Sequence, residues 1–309
     1  CTREYDRGLF ENVGLDLAKF PQLHTGCEIA GRLTEEAACH LGLRAGIPVS
    51  VGGGDSACAN IGAGAAAPGS FYLNLGPTAW IAGPMERPFL DSKNRVFHIY
   101  TLDGNGCNVF GMMQCAGNSV AWAQSLFDIA SPRSFDALAE QVVPGSGGLV
   151  YLPYLDGERS PVFDAQAQGV FFGMSSAHRR EHFARAVLEG VGCALSQILD
   201  VFREREAVSA LRIIGSGAKS HLWKQIIADV CGVSLLEVST FPDSATSLGA
   251  AAAAGVGIGL FKDLPDAAQH IQLSGRVEPD ADAERLYHLT KKRYAMLYPA
   301  LREAFRTRE

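Results

Sequence analysis

No run of basic residues occurs anywhere in the sequence. Acidic residues outnumber basic ones 33 to 27 over 309 residues, giving a formal net charge of −6. Neither nucleic acid nor an anionic membrane is therefore an expected partner. Small anions stay open, because backbone amides hold phosphate without net positive charge. The eight cysteines (Cys1, Cys27, Cys39, Cys58, Cys107, Cys115, Cys193 and Cys231) never stand as Cys-x-x-Cys. This argues against a zinc ribbon or redox pair, and we expect reduced thiols in a cytoplasmic protein. The longest apolar stretch, Ser247 to Phe261, is too short and too rich in Gly and Ala to span a bilayer. No signal peptide is visible, and no repeat of about 20–50 residues. What remains is ordinary globular material, 47% hydrophobic and 19% charged, sufficient for a sizeable core in one large domain or about two. The chain opens on Cys1 and runs into charged residues, so we expect a cut or processed start. Residues 283–305 read as one amphipathic helix and a natural terminus.

Up to about Gly46 the pattern is of short helical pieces broken at glycines and at Pro21. Ile47 to Val51 then reads as a short buried strand, ending in Gly52-Gly53-Gly54-Asp55, with a small-residue helix from Ser56 to Ala67. Four short strands in series follow, at Phe71–Leu75, Thr78–Ala82, Val96–Leu102 and Asn108–Met112. Thereafter helices at 118–127, 134–142, 180–204, 220–231 and 245–254 alternate with strands at 149–152 and 211–214. Serial strands followed by strand–helix units predict an α/β protein with a mixed sheet flanked by helices.

Three segments place glycines at strand ends. In VSVGGGDSA three glycines allow a tight turn with ligand space beside it, and Asp55 stands at a helix N-terminus, where simple capping would also account for it. In FYLNLGPTAW the Gly76-Pro77-Thr78 turn could present an amide and a hydroxyl to phosphate, or be an ordinary hairpin. In LRIIGSGAKSHLWKQIIADV a strand leads into Gly215-Ser216-Gly217-Ala218-Lys219 and a helix, a place where a nucleotide could dock. Taken alone this is a weak relative of the dinucleotide fingerprint, lacking its third glycine. His178-Arg179-Arg180-Glu181-His182 spells an inverted zincin pattern. No third ligand is placed persuasively, so a solvated first helical turn is the expected state and no metal-binding residue is assigned.

Together, in order, the three segments resemble the FGGY-type carbohydrate kinases. Gly169 to Glu189 (GVFFGMSSAHRREHFARAVLE) fits that family's C-terminal signature, and GLVYLPYLDGERSP and SGRVEPD look like the family as well. Within it, GGGDSA, GMMQCAGNSVAW and GSGAKSHLWKQIIADV look most like the xylulokinase branch. The resemblance implies an actin-like ATPase (ribonuclease H-like) fold and ATP-dependent phosphorylation of a sugar hydroxyl, D-xylulose to D-xylulose 5-phosphate. Another FGGY sugar or polyol kinase (ribulose, gluconate or glycerol type) is the alternative. It implies ATP and Mg²⁺ as cofactors, sugar and ATP as partners, and a homodimer as one assembly option. Asp55 matches the catalytic base and touches the sugar. Gly76, Thr78, Gly117, Gly217, Ala218 and His221 match nucleotide-binding positions, Gly217 and Ala218 being the adenosine motif. Residues 1–66 would be the tail of the N-terminal sugar-binding lobe and 67–309 the nucleotide-binding lobe. Three departures stand out. Pro77 replaces the usual Thr or Ser, Ser244 stands where Glu is expected, and the Asp-x-Gly-Thr first phosphate loop is not in the sequence. From the last we expect the chain by itself to be inactive. A non-catalytic actin-like binding protein and a nicotinamide-dependent oxidoreductase built on GSGAKS are the rival classes.

Overall fold

The structure, a computed structural model, describes residues 4–85, 89–239 and 244–307; Cys1 lies outside them. In chain order the elements are α1 (Arg7–Asn12), β1 (Ile29–Arg32), α2 (Glu35–Leu41), β2 (Pro48–Ser50), α3 (Asp55–Gly62), β3 (Phe71–Leu75), β4 (Ala79–Met85), β5 (Phe97–Tyr100) and β6 (Cys107–Met113). Next come α4 (Gly117–Leu126), α5 (Pro132–Ala139), β7 (Val150–Leu152), β8 (Val170–Phe172), α6 (Arg180–Arg203), β9 (Ala210–Ile214) and α7 (His221–Cys231). The chain continues through β10 (Ser234–Val238), α8 (Ala245–Gly257), α9 (Leu264–Gln269), β11 (Leu273–Val277) and α10 (Ala281–Phe305).

Seven strands form one mixed sheet in the order β11-β10-β9-β3-β4-β6-β5. β3, β9 and β10 run parallel; β4, β6 and β5 continue antiparallel on one side and β11 closes the other. The four strands expected in series are all present, but β6 lies between β4 and β5. β3 shows how the sheet is covered. Phe71, Leu73 and Leu75 face a large core built on α6, while Tyr72 faces a smaller core with Ala59 and Ala63 at α3 and Ala245 of α8. Period-two alternation with both faces apolar marks a strand sandwiched between helix layers.

Two expectations need correction. The segment at 47–51 is not buried. β2 pairs with β1 in a separate two-stranded ribbon, and Ile47, Val49 and Val51 are exposed. An apolar run signals burial only if another element covers it, and that is decided outside the run. The helix after Asp55 ends at Gly62, short of Ala67, because Gly64 takes φ +77° and turns the chain back. β1, β8, β10 and β11 went unread in the sequence; they are three to five residues long with little alternation.

The long signature segment has a structural meaning. Glu189 on α6 is buried, and its carboxylate accepts from Gly145 N (2.9 Å), Ser146 Oγ (2.7 Å), Arg185 Nε (2.8 Å) and Tyr287 OH (3.0 Å). One side chain thus joins α6, α10 and the turn before β7. Histidines 178 and 182 are engaged at the same helix start. His178 Nδ1 accepts from Ser175 N, and His182 Nδ1 accepts from Arg179 N as a helix cap. Among the described residues no group of three His, Cys, Asp or Glu side chains could hold a metal ion. No described helix is long and apolar enough to cross a membrane, and the seven described cysteines are free thiols.

Removing Glu189 would leave the buried Arg185 without its counter-charge. Glu189→Ala should therefore destabilise the protein by about 3–5 kcal/mol, read from urea unfolding midpoints; a loss under about 1 kcal/mol would show that the network does not join these helices.

Candidate active site

Sequence-distant glycines meet at the end of β3. The β3–β4 turn closes on itself, Gly76 N donating to Thr78 O at 3.0 Å. Its carbonyls then receive the first amides of α4: Gly117 N donates to Gly76 O (2.9 Å), and Ala116 N and Asn118 N both donate to Pro77 O (3.0 Å). A side chain at 117 would put Cβ 2.7 Å from Gly76 O, so only glycine permits this approach. On the other side, Gly215 takes φ +92°, and a Cβ there would lie 2.6 Å from Leu75 O. A Cβ at 217 would lie 2.5 Å from Leu75 Cγ. Gly217 is therefore small because it packs on β3, a different reason from the ligand space expected of it.

Around this junction opens a cavity of about 610 Å³, lined by Gly76, Gly117, Gly217 and His221 among others. Four of the expected nucleotide-site residues thus share one cavity. Val120, Leu188 and Trp223 give it apolar wall, and Arg133, Lys219 and Asp136 give it charge. Burial pushes the Asp136 carboxyl up, against a lowering hydrogen bond from Ser220. The α4 contribution (Gly117, Val120, Ala121, Gln124) falls at helical spacing, so this face could have been projected from Gly117 alone. Nothing local pointed to Arg133 or Asp136, which reach the cavity because α5 packs beside α6. A separate recess of about 230 Å³ shares Gly76 and Ser216 with the large cavity and is also lined by Asn74, Pro77, Gly215, Ala245 and Thr246. Ala218 is elsewhere, lining a small recess with Lys224 and Glu237, which form an ion pair. Thr78 is half-buried and lines none of these cavities.

Asp55 stands apart from the large cavity, exposed on the first turn of α3. Gly54, not Asp55, is the capping position, and it makes no side-chain cap. The Asp55 carboxylate takes only its neighbour's amide, Ser56 N, at 2.7 Å. Its helix is held by two devices. α3 crosses α8 with glycine on each side, Gly62 against the backbone of Ala245 and Gly249 against that of Cys58. A buried relay also anchors the first turn: Trp80 Nε1 donates to Tyr72 OH (2.9 Å), which donates to Ser56 O (2.9 Å). Burial pushes the Tyr72 phenol well above its ordinary range, so it remains a donor. Gly52, Gly53 and Gly54 border a second cavity of about 680 Å³ with His24, Glu28 and Tyr100.

A mixed sheet with helices on both faces, and glycine turns around a cavity at the end of its central strands, defines an α/β protein of the actin-like ATPase fold. The chain belongs to the FGGY family of carbohydrate kinases. The model of the family's C-terminal domain matches residues 87–258 and that of its N-terminal domain matches residues 1–62. The xylulose kinase of Bacillus subtilis (strain 168) is 31% identical over 301 residues, 96% of this chain and 60% of that protein. The ligand-bound xylulose kinase from Lactobacillus acidophilus superposes with a TM-score of 0.91 at 25% identity, over 98% of this chain and 62% of that one. A gluconate kinase from the same organism gives 0.89 at 26% identity, over 96% of this chain and 60% of that one. The chain thus spans about 60% of the length of the curated relative it matches.

The relay is testable by itself. Tyr72→Phe removes the acceptor of the half-buried Trp80 Nε1 and the donor to Ser56 O, and should cost about 1–3 kcal/mol of stability, measured by thermal and urea unfolding. Unchanged unfolding would show that Tyr72 does not anchor α3.

Proposed function

We propose that the protein is an ATP-dependent sugar kinase, with D-xylulose as acceptor and D-xylulose 5-phosphate as product. In this reading residues 67–309 hold the nucleotide and residues 1–66 belong to the sugar-binding lobe. The observation that carries it is that the 610 Å³ cavity and the smaller recess between the Gly76 and Gly215 turns share Gly76 and Ser216 as lining. Together they have room for a nucleoside in the wider part and phosphates in the narrower one. The relatives named for xylulose favour that sugar, and the one named for gluconate supplies the competing acceptor.

Asp55 is the base in this proposal. The acceptor oxygen attacks the γ-phosphorus, the bond to the ADP oxygen breaks, and the hydroxyl proton passes to the Asp55 carboxylate. An exposed carboxylate on a braced helix suits the task, since it is accessible and positioned at once. Magnesium, when bound, neutralises charge on the phosphates. Pro77 removes one amide from the turn, and the adjacent Thr78 hydroxyl is the polar side-chain group left there. A nucleotide-binding protein without transfer chemistry is the second reading; Asp55, exposed on a braced turn, favours the first.

Asp55→Asn keeps size and first-turn polarity while removing the proton acceptor. In the intact enzyme it should lower kcat for D-xylulose by about 10²–10⁴-fold with an unchanged melting temperature. Turnover within about threefold of wild type, under ~1 kcal/mol of barrier, would remove Asp55 from the base role. Parallel assays with D-gluconate, D-ribulose and glycerol decide the acceptor, and a higher kcat/KM for any of them than for D-xylulose would overturn the substrate assignment.

The nucleotide site needs a probe that leaves the β3 packing alone, which excludes Gly217. Ala121 is exposed on the cavity wall, and Ala121→Trp would fill the cavity from the α4 side. MgADP affinity should fall at least about tenfold, ~1.4 kcal/mol, by calorimetry with unfolding unchanged; equal affinity would place the nucleotide elsewhere.

A further inference from the structure

Glu158 is a buried carboxylate with no part in the proposed chemistry. It is 5% exposed and lies in the loop between β7 and β8. Its backbone is fixed by reciprocal bonds with Asp164, N to O at 2.9 Å in both directions. Asp164 is in turn held by Tyr298 OH of α10 at 2.8 Å. The next residues tie this loop to the sheet, Ser160 N donating to Met112 O of β6 at 2.8 Å. From this platform Glu158 Oε1 accepts Gln114 N at 2.7 Å and Arg159 N at 2.8 Å. Oε2 is buried with no partner among the described residues, and Glu158 lines a pocket of about 360 Å³ with Gln114, Asp156 and Arg159.

Gln114 is the first residue after β6, three before Gly117. The turn from β6 to α4 is therefore held from two sides. Glu158 takes its first amide, and the carbonyls of Gly76 and Pro77 take the amides of Ala116, Gly117 and Asn118. Among the described residues Glu158 makes no hydrogen bond to the cavity wall itself; its influence passes through one amide. We propose that Glu158 is a positioning residue for the nucleotide cavity, fixing through Gln114 N the turn that seats Gly117 against Gly76. The proposal rests on the nucleotide-site reading above.

The carboxyl has a second consequence. Burial pushes it up to about 8, partly offset by the amides of Gln114 and Arg159 and by the Arg159 charge. Asp156 and Arg159 face it from its own loop, Cys115 from the β6–α4 turn, Tyr154 from the end of β7 and Tyr294 from α10. The Cys115 thiol is pushed up to about 12, and both tyrosines are raised by burial, so these three keep their protons while Glu158 titrates. A carboxyl raised in the folded state contributes stability that is present below its unfolded pKa and is lost as pH rises through the folded one, here near 8. Ionisation then puts a charge into the buried pocket behind the turn; the amides of Gln114 and Arg159 bond the carboxylate more strongly than the acid, so what is lost is the stability of the buried loop that carries the turn, through desolvation of the charge.

The test is calorimetry of MgADP binding to the intact protein at about pH 6.5 and about pH 9, comparing wild type, Glu158→Gln and Glu158→Ala, with circular dichroism confirming that each is folded. Glu158→Ala should bind about tenfold more weakly at both values, the loss of one buried amide partner. Glu158→Gln keeps an acceptor and cannot ionise. It should match wild type within about twofold at the lower pH and bind about threefold more tightly at the higher. The cavity-lining residues are common to all three proteins, so any pH effect of theirs cancels in the comparison. A folded alanine variant that binds like wild type, or glutamine and wild-type profiles that coincide, would overturn the positioning role. If the alanine variant does not fold, the glutamine profile decides alone. Wild type that binds no MgADP at all would overturn the nucleotide-site reading, and this inference with it.

Discussion

Contact of three backbone segments around the end of β3 is the constraint on which the rest of the cavity depends. Leu75 and Gly76 are touched from one side by Gly117 and from the other by Gly215 and Gly217, each at a distance that excludes a Cβ. The Gly117 and Gly215 contacts are backbone to backbone and cannot relax by a rotamer change. The positions of α4 and of the Gly215–Lys219 turn follow directly from the strand. The glycine edge of the cavity is therefore set by the sheet, and side chains of α4, α5 and α7 complete its wall.

Buried polar groups do the complementary work of joining layers. Glu189 connects α6 to α10 through Arg185 and Tyr287, Tyr72 connects β3 to the start of α3, and Glu158 connects the loop before β8 to the β6–α4 turn. Each is costly to bury and therefore tolerates few alternative arrangements. In all three cases at least one partner lies far away in sequence: Tyr287 for Glu189, Ser56 for Tyr72 and Gln114 for Glu158. The FGGY signature segment belongs to this category: apart from Leu188, it lies away from the 610 Å³ cavity and stabilises the helix behind it.

Glycine turns were legible because glycine at a strand end is a local signal with few explanations. That signal singled out Gly76 and Gly217, while Gly117 came from the family resemblance; the structure places all three on the lining of one cavity. The sequence did not say why each is glycine. Gly217 was expected to leave space for a ligand, and it leaves space for Leu75. Asp55 was legible as a helix-start carboxylate, but its exposure and the Trp80–Tyr72 relay beneath its helix were not, because Trp80 and Ser56 meet only through strand pairing. The apolar string at 47–51 carried a burial signal that the fold contradicts, since Ile47, Val49 and Val51 stay exposed on the two-stranded ribbon.

By itself the sequence determined the local alphabet: the long helices α6 and α10 from their periodicity, seven of the eleven strands of the described residues (β2–β7 and β9) from their apolar runs, the mixed α/β class, and the family from the order of its motifs. Tertiary structure alone decided that β6 inserts between β4 and β5, that Ala218 faces away from the cavity shared by Gly217 and His221, and that Arg133 and Asp136 join that cavity. It alone decided that Glu158 is buried against Gln114. The reason is physical: periodicity and turn chemistry are set by neighbours a few residues away. Strand order, burial of a charge and the lining of a cavity are set by which segments pack, and that choice is made by the whole core.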